Sequence, residues 1–301
     1  MPVRLVHRPN PDTRSAGGAV ARCETSRVVS GSERDHLGAV ARVYGPETWE
    51  VYHLLDQSLD PRGPESMQAL VAAHLTGESR ILDVGCRDAA HLIELVRSSG
   101  ASGVGLDPVS RLVERAREAV RTAELDDRIE VLEGVMQRIP LPDDSFDLVW
   151  CRDVIEVVED LDLGIAEMAR VLRPGGHLIV FTVLATERLE PNEAQMLLGQ
   201  NLAIVAANLV EANVETAFRA ARLTIVARDE IGTEWREYAE ERSQVVSRSL
   251  LRLARLRRQR DKLIEKAGPD IYAHIESNLH WEVFQFLGKL LPTVYLLKKP
   301  D

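Results

Sequence analysis

Between residues 65 and 185, short apolar runs alternate with segments of helical periodicity, and this alternation constrains the fold more than any other feature. The runs have the length and the bounding glycines of buried strands, and the segments between them repeat apolar residues every three or four positions. Strands that alternate with helices form a parallel sheet covered on both faces. Five strands are predicted here, at 81–85, 103–107, 129–132, 146–150 and 177–183.

The sequence on either side of this core has a different character. Residues 1–34 are rich in proline, glycine, serine and arginine and are predicted to be disordered, and a single domain is predicted over 35–301. After residue 185 the chain is largely helical at 186–221 and 230–288. Within these insertions we predict one long amphipathic helix over 234–266, and further strands lie near residues 225 and 295.

We expect the helical insertions to cover the carboxyl ends of the strands, together with a leading helix at 35–57. A cleft of this kind needs a cover that excludes water and orients a reactant. Such a lid suits a discrete small molecule better than a protein surface or duplex DNA. The alternative for the long helix is a dimerisation arm, so a homodimer formed through the insertions is also considered.

Composition narrows the classes of partner. The 301 residues carry a formal net charge of −10, which argues against general affinity for nucleic acid. No run approaches 18 apolar residues and the N-terminus has no apolar signal segment, so we expect neither a membrane span nor secretion. Three scattered cysteines and eight dispersed histidines predict neither a disulfide framework nor a metal site. A reducing cytoplasm is the simplest setting.

The chemistry is concentrated in the turns that follow the first two strands. A glycine turn between a strand and a helix N-terminus, here beginning at Gly85, lets backbone N–H groups approach a ligand closely. Asp107 ends the next strand, 24 residues after Asp83, where a carboxylate can accept hydrogen bonds from both hydroxyls of a ribose. This pattern predicts a nucleoside site but does not choose between NAD and another adenosine ligand.

Four successive motifs resemble those of class I S-adenosylmethionine-dependent methyltransferases, in the subgroup typified by ubiquinone-biosynthesis and small-molecule enzymes. The motifs are ILDVGCRDAA at 81–90, VGLDP at 104–108, LPDDSFDLVWCRDVIEVVEDL at 141–161 and ARVLRPGGHLIV at 169–180. The resemblance covers roughly residues 65–185. It implies a Rossmann-like α/β fold whose seven-stranded, mostly parallel sheet has an antiparallel last strand, with S-adenosyl-L-methionine as cofactor and a small-molecule methyl acceptor.

The same resemblance assigns roles to individual residues. Asp83 and Gly85 would shape the turn beside the methionine portion of the cofactor, and Cys86 belongs to that turn. Asp107 would hold the ribose, and Cys151, with Arg152, would lie near the sulfonium. The remaining cofactor-binding residues line the adenine: Pro108, Met136 and Gln137.

The acceptor side is assigned less directly. Asp153 and Glu156 follow the fourth strand, where substrates of the family meet the methyl group, and either could act as a general base or anchor a cationic amine. His280 lies among aromatic residues just before the last strand and is a third candidate for a base or substrate contact. Each has an alternative structural role, as a helix cap, a solvated carboxylate or a packed histidine.

The sequence departs from the family pattern in the glycine turn. Arg87 and Ala89 occupy the second and third glycine positions, and Val135 stands where the family often has an acidic residue. Arginine adds bulk where the cofactor approaches most closely. A catalytically silent S-adenosylmethionine-binding protein, or another enzyme using the same cofactor, is therefore the alternative. An NAD(P)-dependent oxidoreductase and a nucleic-acid methyltransferase fit the motifs and the charge less well.

Overall fold

The computed structural model describes residues 31–199 and 203–301, so most of the segment predicted to be disordered, 1–34, lies outside the described residues. The chain divides into two compact units, Met1–Gln57 and Ser58–Asp301. The first contains helices α1 (Gly31–Val43) and α2 (Pro46–Leu55), and no residue of α2 is buried. The second contains the sheet and all other helices, so it begins 23 residues after the start predicted for the domain.

The second unit is built on one seven-stranded sheet in the order β3-β2-β1-β4-β5-β7-β6. Neighbouring strands from β3 to β5 are parallel, whereas β7 is antiparallel to both β5 and β6. This confirms the predicted fold class, including the antiparallel last strand. The strands are β1 (Arg80–Val84), β2 (Ser102–Asp107), β3 (Ile129–Glu133), β4 (Phe146–Arg152), β5 (Leu172–Ala185), β6 (Thr224–Glu230) and β7 (Leu290–Lys298).

Helices cover both faces of the sheet. They are α3 (Glu65–Ala72), α4 (Ala90–Ser99), α5 (Ser110–Thr122), α6 (Leu161–Val171), α7 (Pro191–Gly199), α8 (Glu211–Ala220), α9 (Glu234–Ser243), α10 (Val245–Arg258), α11 (Arg260–Ala267) and α12 (Pro269–Phe286), with 3₁₀ turns at Ile155–Val157 and Ala206–Leu209. Alternate residues of β1 enter opposite cores, since Ile81 packs with α3, α4 and α5 and Leu82 packs with α6 and α8. None of the helices in the described ranges is long and apolar enough to cross a bilayer.

The prediction of one helix over 234–266 is wrong, because three helices occupy this stretch. Gln244, between α9 and α10, has a left-handed backbone with φ 53°. The carboxylate of Glu240 accepts a hydrogen bond of 2.7 Å from the backbone N–H of Val246 and caps the new helix. Residues of α7, α9, α10 and α12 join the core on the α4 side of the sheet.

The register of the central strands sets the position of the site. Asp83 pairs with Gly105 of β2 and Trp150 of β4, and Val84 pairs with Leu106 and Cys151. The carboxyl ends of β1, β2 and β4 therefore meet at one edge of the sheet, where ligands bind in open α/β folds.

Candidate functional site

The turn after β1 requires glycine at its first position. Gly85 has φ 75°, and its backbone N–H donates a hydrogen bond of 2.7 Å to the carbonyl of Leu106. A Cβ atom at this position would overlap the Cγ2 of Val154. Glycine therefore allows β1 and the segment after β4 to approach closely, in addition to supplying the left-handed backbone.

The two substituted glycine positions keep a glycine-like backbone. Arg87 and Ala89 have φ 52° and 56°, a region that costs an L-residue about 1–2 kcal/mol. The Arg87 side chain is 68% exposed and lies beside Asp88, so it does not occupy the interior of the turn. The turn thus retains its geometry despite both substitutions.

Asp107 connects this turn to the end of β2. Its side chain accepts hydrogen bonds of 2.9 Å from the backbone N–H of Arg87 and from that of Val109. The residue is only 4% exposed. Because each carboxylate oxygen has two acceptor sites, both oxygens can still accept from the hydroxyls of a ligand.

A cavity of about 230 Å³ opens beside Gly85 and Pro108. This is below the roughly 300–1,000 Å³ of complete ligand pockets, so the cavity fits one part of a larger ligand. Its walls are mainly apolar and suit a flat ring. The three predicted adenine-lining residues, Pro108, Met136 and Gln137, all line this cavity. The full lining is Val84, Gly85, Leu106, Pro108, Gly134, Val135, Met136, Gln137, Val154, Val157 and Val158.

Asp83 is a buried carboxyl that accepts no hydrogen bond from the residues described by the structure. Burial, reinforced by the negative charge of Asp107, raises its pKa to about 7, and the positive charge of Arg152 partly opposes this rise. An unpartnered carboxyl at the sheet edge fits a cationic ligand group, since a neighbouring positive charge would stabilise its ionised form.

A second group of residues, the Arg152 cluster, lies at the carboxyl ends of β4 and β5. The Arg152 guanidinium is 5.4 Å from the ring centroid of Phe181 and 5.3 Å from that of Trp235 in α9. It donates to Asp153 Oδ2 at 3.3 Å and to His91 Nε2 at 3.2 Å. The cluster comprises Arg152, Asp153, His91, Phe181 and Trp235. Asp153, which was predicted on the acceptor side, therefore belongs to this cluster, and its side chain is 58% exposed.

Glu156 lies inside the protein. Its Oε1 accepts a hydrogen bond of 2.9 Å from the backbone N–H of Val183, and Oε2 has no hydrogen-bond partner in the described part of the chain. Burial, with the nearby charge of Asp153, raises its pKa to about 7. These contacts hold the 3₁₀ turn against β5, and the candidate acceptor role of Glu156 stays a prediction.

His280 is held within α12 and joins neither the cavity nor the Arg152 cluster. Its Nδ1 donates to the Glu276 carbonyl at 2.7 Å, and its Nε2 accepts from Arg257 at 3.0 Å. With both ring nitrogens engaged and the ring buried beside Phe284, its observed role is structural. Its candidate role as a base or substrate contact stays a prediction.

The two cysteines predicted at the site are both buried and free. Cys86 packs against the backbone of Gly105, and Cys151 packs in the core on the α6 side. Burial raises the pKa of both thiols above the ordinary value. Neither thiol lines the cavity, so their predicted contacts with the cofactor depend on the backbone rather than on sulfur.

Sequence reasoning missed three members of the Arg152 cluster, His91, Phe181 and Trp235. His91 is the second residue of α4, directly after the glycine turn, so its place in the motif could have indicated it. Trp235 comes from an insertion 54 residues after Phe181, and no local pattern connects the two. Within the described ranges, no group of three or more histidine, cysteine, aspartate or glutamate residues could hold a metal ion.

Comparisons with known proteins relate the central part of this chain to methyltransferases. A sequence profile for the methyltransferase domain matches residues 82–180. The chain is 35% identical over 111 residues to methyltransferase GfsG of Streptomyces halstedii, an alignment covering 37% of this chain and 40% of that protein. It is 34% identical over 104 residues to 27-O-demethylrifamycin SV methyltransferase of Amycolatopsis mediterranei, covering 35% and 38%. The alignments span about two fifths of these relatives' lengths.

Among solved structures, the crystal structure of the [4+2]-cyclase SpnF superposes with a TM-score of 0.61 and 20% sequence identity. The superposition covers 78% of this chain and 81% of that chain. At this identity the likeness concerns the fold alone.

Proposed function

This chain carries a class I S-adenosylmethionine-dependent methyltransferase domain over residues 82–180, with S-adenosylmethionine as its cofactor, and on that premise we propose that the whole protein methylates a small organic acceptor. The observation that carries the proposal is the sheet edge itself. An apolar cavity, a ribose-type carboxylate at Asp107 and an unpartnered carboxyl at Asp83 lie along one line of strand ends.

We assign the cofactor contacts by the chemistry of each residue. The cavity walls, with Pro108, Met136 and Gln137, would hold the adenine, and Asp107 would accept from the ribose hydroxyls. Gly85 would leave room for the amino-acid portion, whose positive charge Asp83 would balance. The Arg87 side chain points to solvent, which supports a working cofactor site over a remodelled one.

The bound cofactor supplies a sulfonium methyl group, which moves in line to a nucleophile. The protein's main task is then to align the acceptor and exclude water, and alignment alone provides effective molarities on the order of 10⁵ M or more. Asp153, exposed in the Arg152 cluster, is the better placed of the two carboxylates for accepting a proton from an acceptor hydroxyl. Glu156 would affect the reaction only indirectly, through its hydrogen bond to the backbone of β5.

Isothermal titration calorimetry with S-adenosylhomocysteine tests the cofactor site. We expect saturable binding by the wild-type protein, and a loss of about 30-fold or more for Asp107→Ala, since charge-assisted hydrogen bonds to the ribose are removed. Asp126→Ala is the matched control. This exposed acid precedes β3, so it lies at the amino ends of the parallel strands, away from the site at their carboxyl ends. Absence of binding by the folded wild-type protein would refute the proposal.

A turnover assay separates transfer from silent binding. Wild-type protein is incubated with methyl-labelled S-adenosylmethionine and a panel of small hydroxy, amino and carboxylic compounds, and labelled products are separated by mass. A labelled product that requires both protein and acceptor supports methyl transfer. If tight cofactor binding were accompanied by no labelled product from any acceptor, the silent cofactor-binding alternative would replace the transferase.

The setting of the reaction follows from the same proposal. We propose a cytoplasmic protein, supported by the two free, buried thiols of Cys86 and Cys151. The acidic net charge favours a small-molecule partner over nucleic acid. The predicted homodimer through the helical insertions, and their role as a lid, stay predictions that solution scattering of the full chain can test.

A further inference from the structure

Arg152 is held firmly but incompletely satisfied. Its side chain is 19% exposed, and hydrogen bonds engage Nε with Asp153 and Nη1 with His91. Its Nη2 has no hydrogen-bond partner in the ranges the structure describes. A guanidinium has five N–H donors in a planar fork. Nη2 is not one of the fully buried unpaired atoms of the described residues, so the free side of this fork is open to solvent and can donate to a ligand.

The position of the guanidinium is fixed by its surroundings. The rings of Phe181 and Trp235 stack on one another with centroids 4.7 Å apart and an interplanar angle of 12°, and both flank Arg152. Burial and the charges of Arg152 and Arg87 lower the pKa of His91, so its neutral Nε2 accepts from Arg152. A guanidinium held in this way loses little conformational entropy on binding a ligand.

A second arginine in the same region has a closer acidic partner than Arg152 has. Arg236 of α9 donates two hydrogen bonds, of 3.0 and 2.9 Å, to Gln285 Oε1 and forms an ion pair of 2.5 Å with Glu282. Among the described residues, Arg152 forms its one ion pair with the exposed Asp153, at 3.3 Å, and its charge also acts on the buried Asp83. Acceptors from α12 therefore neutralise Arg236, whereas Arg152 keeps an open side at the carboxyl ends of the strands.

We propose that Arg152 binds a carboxylate of the methyl acceptor, so that the substrate class is a small organic acid. This inference rests on the proposed methyltransferase function. Arg152 lies in β4 opposite Phe181 of β5, whereas Asp107 ends β2 on the other side of β1. A planar, half-free guanidinium matches a carboxylate through two parallel N–H···O bonds. The cofactor's own carboxylate is the other source of this chemistry.

Calorimetry on the protein–S-adenosylhomocysteine complex tests the inference, with benzoate as the probe and benzamide as its neutral counterpart. We expect the wild-type complex to bind benzoate roughly tenfold more tightly than benzamide, as a charge-assisted bidentate pair would require. Arg152→Gln should abolish this preference, and Arg152→Lys should restore only part of it because lysine lacks the fork. Arg97→Gln, on the outer surface of α4, is the matched control for loss of an arginine.

Two further outcomes would overturn the inference. One is a wild-type complex that shows no preference for benzoate, or a preference that survives in Arg152→Gln. The other concerns the source of the carboxylate and uses 5′-methylthioadenosine, which lacks the amino-acid portion. If Arg152→Gln weakened S-adenosylhomocysteine but not 5′-methylthioadenosine, the carboxylate would belong to the cofactor. Wild-type protein that bound no S-adenosylhomocysteine would instead remove the proposed function, so the two failures are distinguishable.

Discussion

The cavity and the Arg152 cluster lie at the same edge of one sheet, but their residues come from the sequence in different ways. The cavity is lined by residues between 84 and 158, all within successive strand–turn–helix units. The Arg152 cluster combines the ends of β4 and β5 with His91 from α4 and Trp235 from α9. Its neighbour Arg236 is in turn held by α12.

This difference distinguishes binding of a cofactor that many enzymes share from binding of the acceptor that is particular to one enzyme. A common cofactor can be bound by local turns that any member of a family repeats, whereas an individual acceptor needs side chains from insertions that vary in length and sequence. We therefore expect the two regions to be separable by mutation. Damage to the turns should remove cofactor binding, and damage to the cluster should leave it largely intact.

The largest effect on cofactor binding is expected from Gly85→Ala. The added methyl group would push Val154 into the cavity and force alanine into a left-handed backbone, so S-adenosylhomocysteine binding should weaken about a hundredfold, or ~3 kcal/mol. Gly232→Ala is the matched control, because Gly232 also has a positive φ, of 60°, with nothing within 4 Å of a Cβ. It should cost only about 1 kcal/mol of unfolding free energy and leave binding unchanged. Equal binding losses in the two variants would refute the steric explanation.

Trp235→Ala tests the other side of the comparison. Removing this buried ring from its stack on Phe181 should lower the free energy of unfolding by about 3–5 kcal/mol, as measured by denaturant titration. Affinity of the folded variant for S-adenosylhomocysteine should stay within about threefold of wild type, because the cavity walls are untouched.

Trp235→Phe provides the control for that experiment. It keeps a ring for the stack but loses the hydrogen bond from Nε1 to Ser66 Oγ, so only about 1 kcal/mol should be lost. A folded Trp235→Ala protein that no longer bound the cofactor product would show that the two regions form a single unit.

The same contrast explains how far the sequence could predict the molecule. The parallel strands and the turn around Gly85 follow from local periodicity and from glycine chemistry, so they were predictable, whereas the antiparallel last strand was implied by the resemblance to the methyltransferase family. The break at Gln244 was not, because a carboxylate cap from Glu240 outweighs the continuous helical pattern on both sides. Glu156 was predicted toward the acceptor, but only the folded structure brings its carboxylate to the Val183 amide. Contacts between distant elements leave no local signal.

Asp83 gives the smallest and most discriminating prediction, because it lies between the two regions and titrates. Its pKa of about 7 in the free protein exceeds the value of about 4 expected when unfolded. The native state therefore binds an extra proton between these values, and this carboxyl lowers the stability of the cofactor-free protein as pH rises from about 4 to about 7. Binding a cation should have the opposite dependence, since only ionised Asp83 attracts it.

Affinity for S-adenosylhomocysteine should therefore increase up to about tenfold per pH unit below pH 7 and level off above it. Asp83→Asn should flatten this profile, weaken binding at pH 8 and raise the melting temperature of the cofactor-free protein at that pH. Glu156→Gln is the control, because Glu156 has a similar pKa but lies against β5; it should leave the binding profile unchanged. If the profile persisted in Asp83→Asn, another group would bind the proton and Asp83 would be only a buried part of the turn.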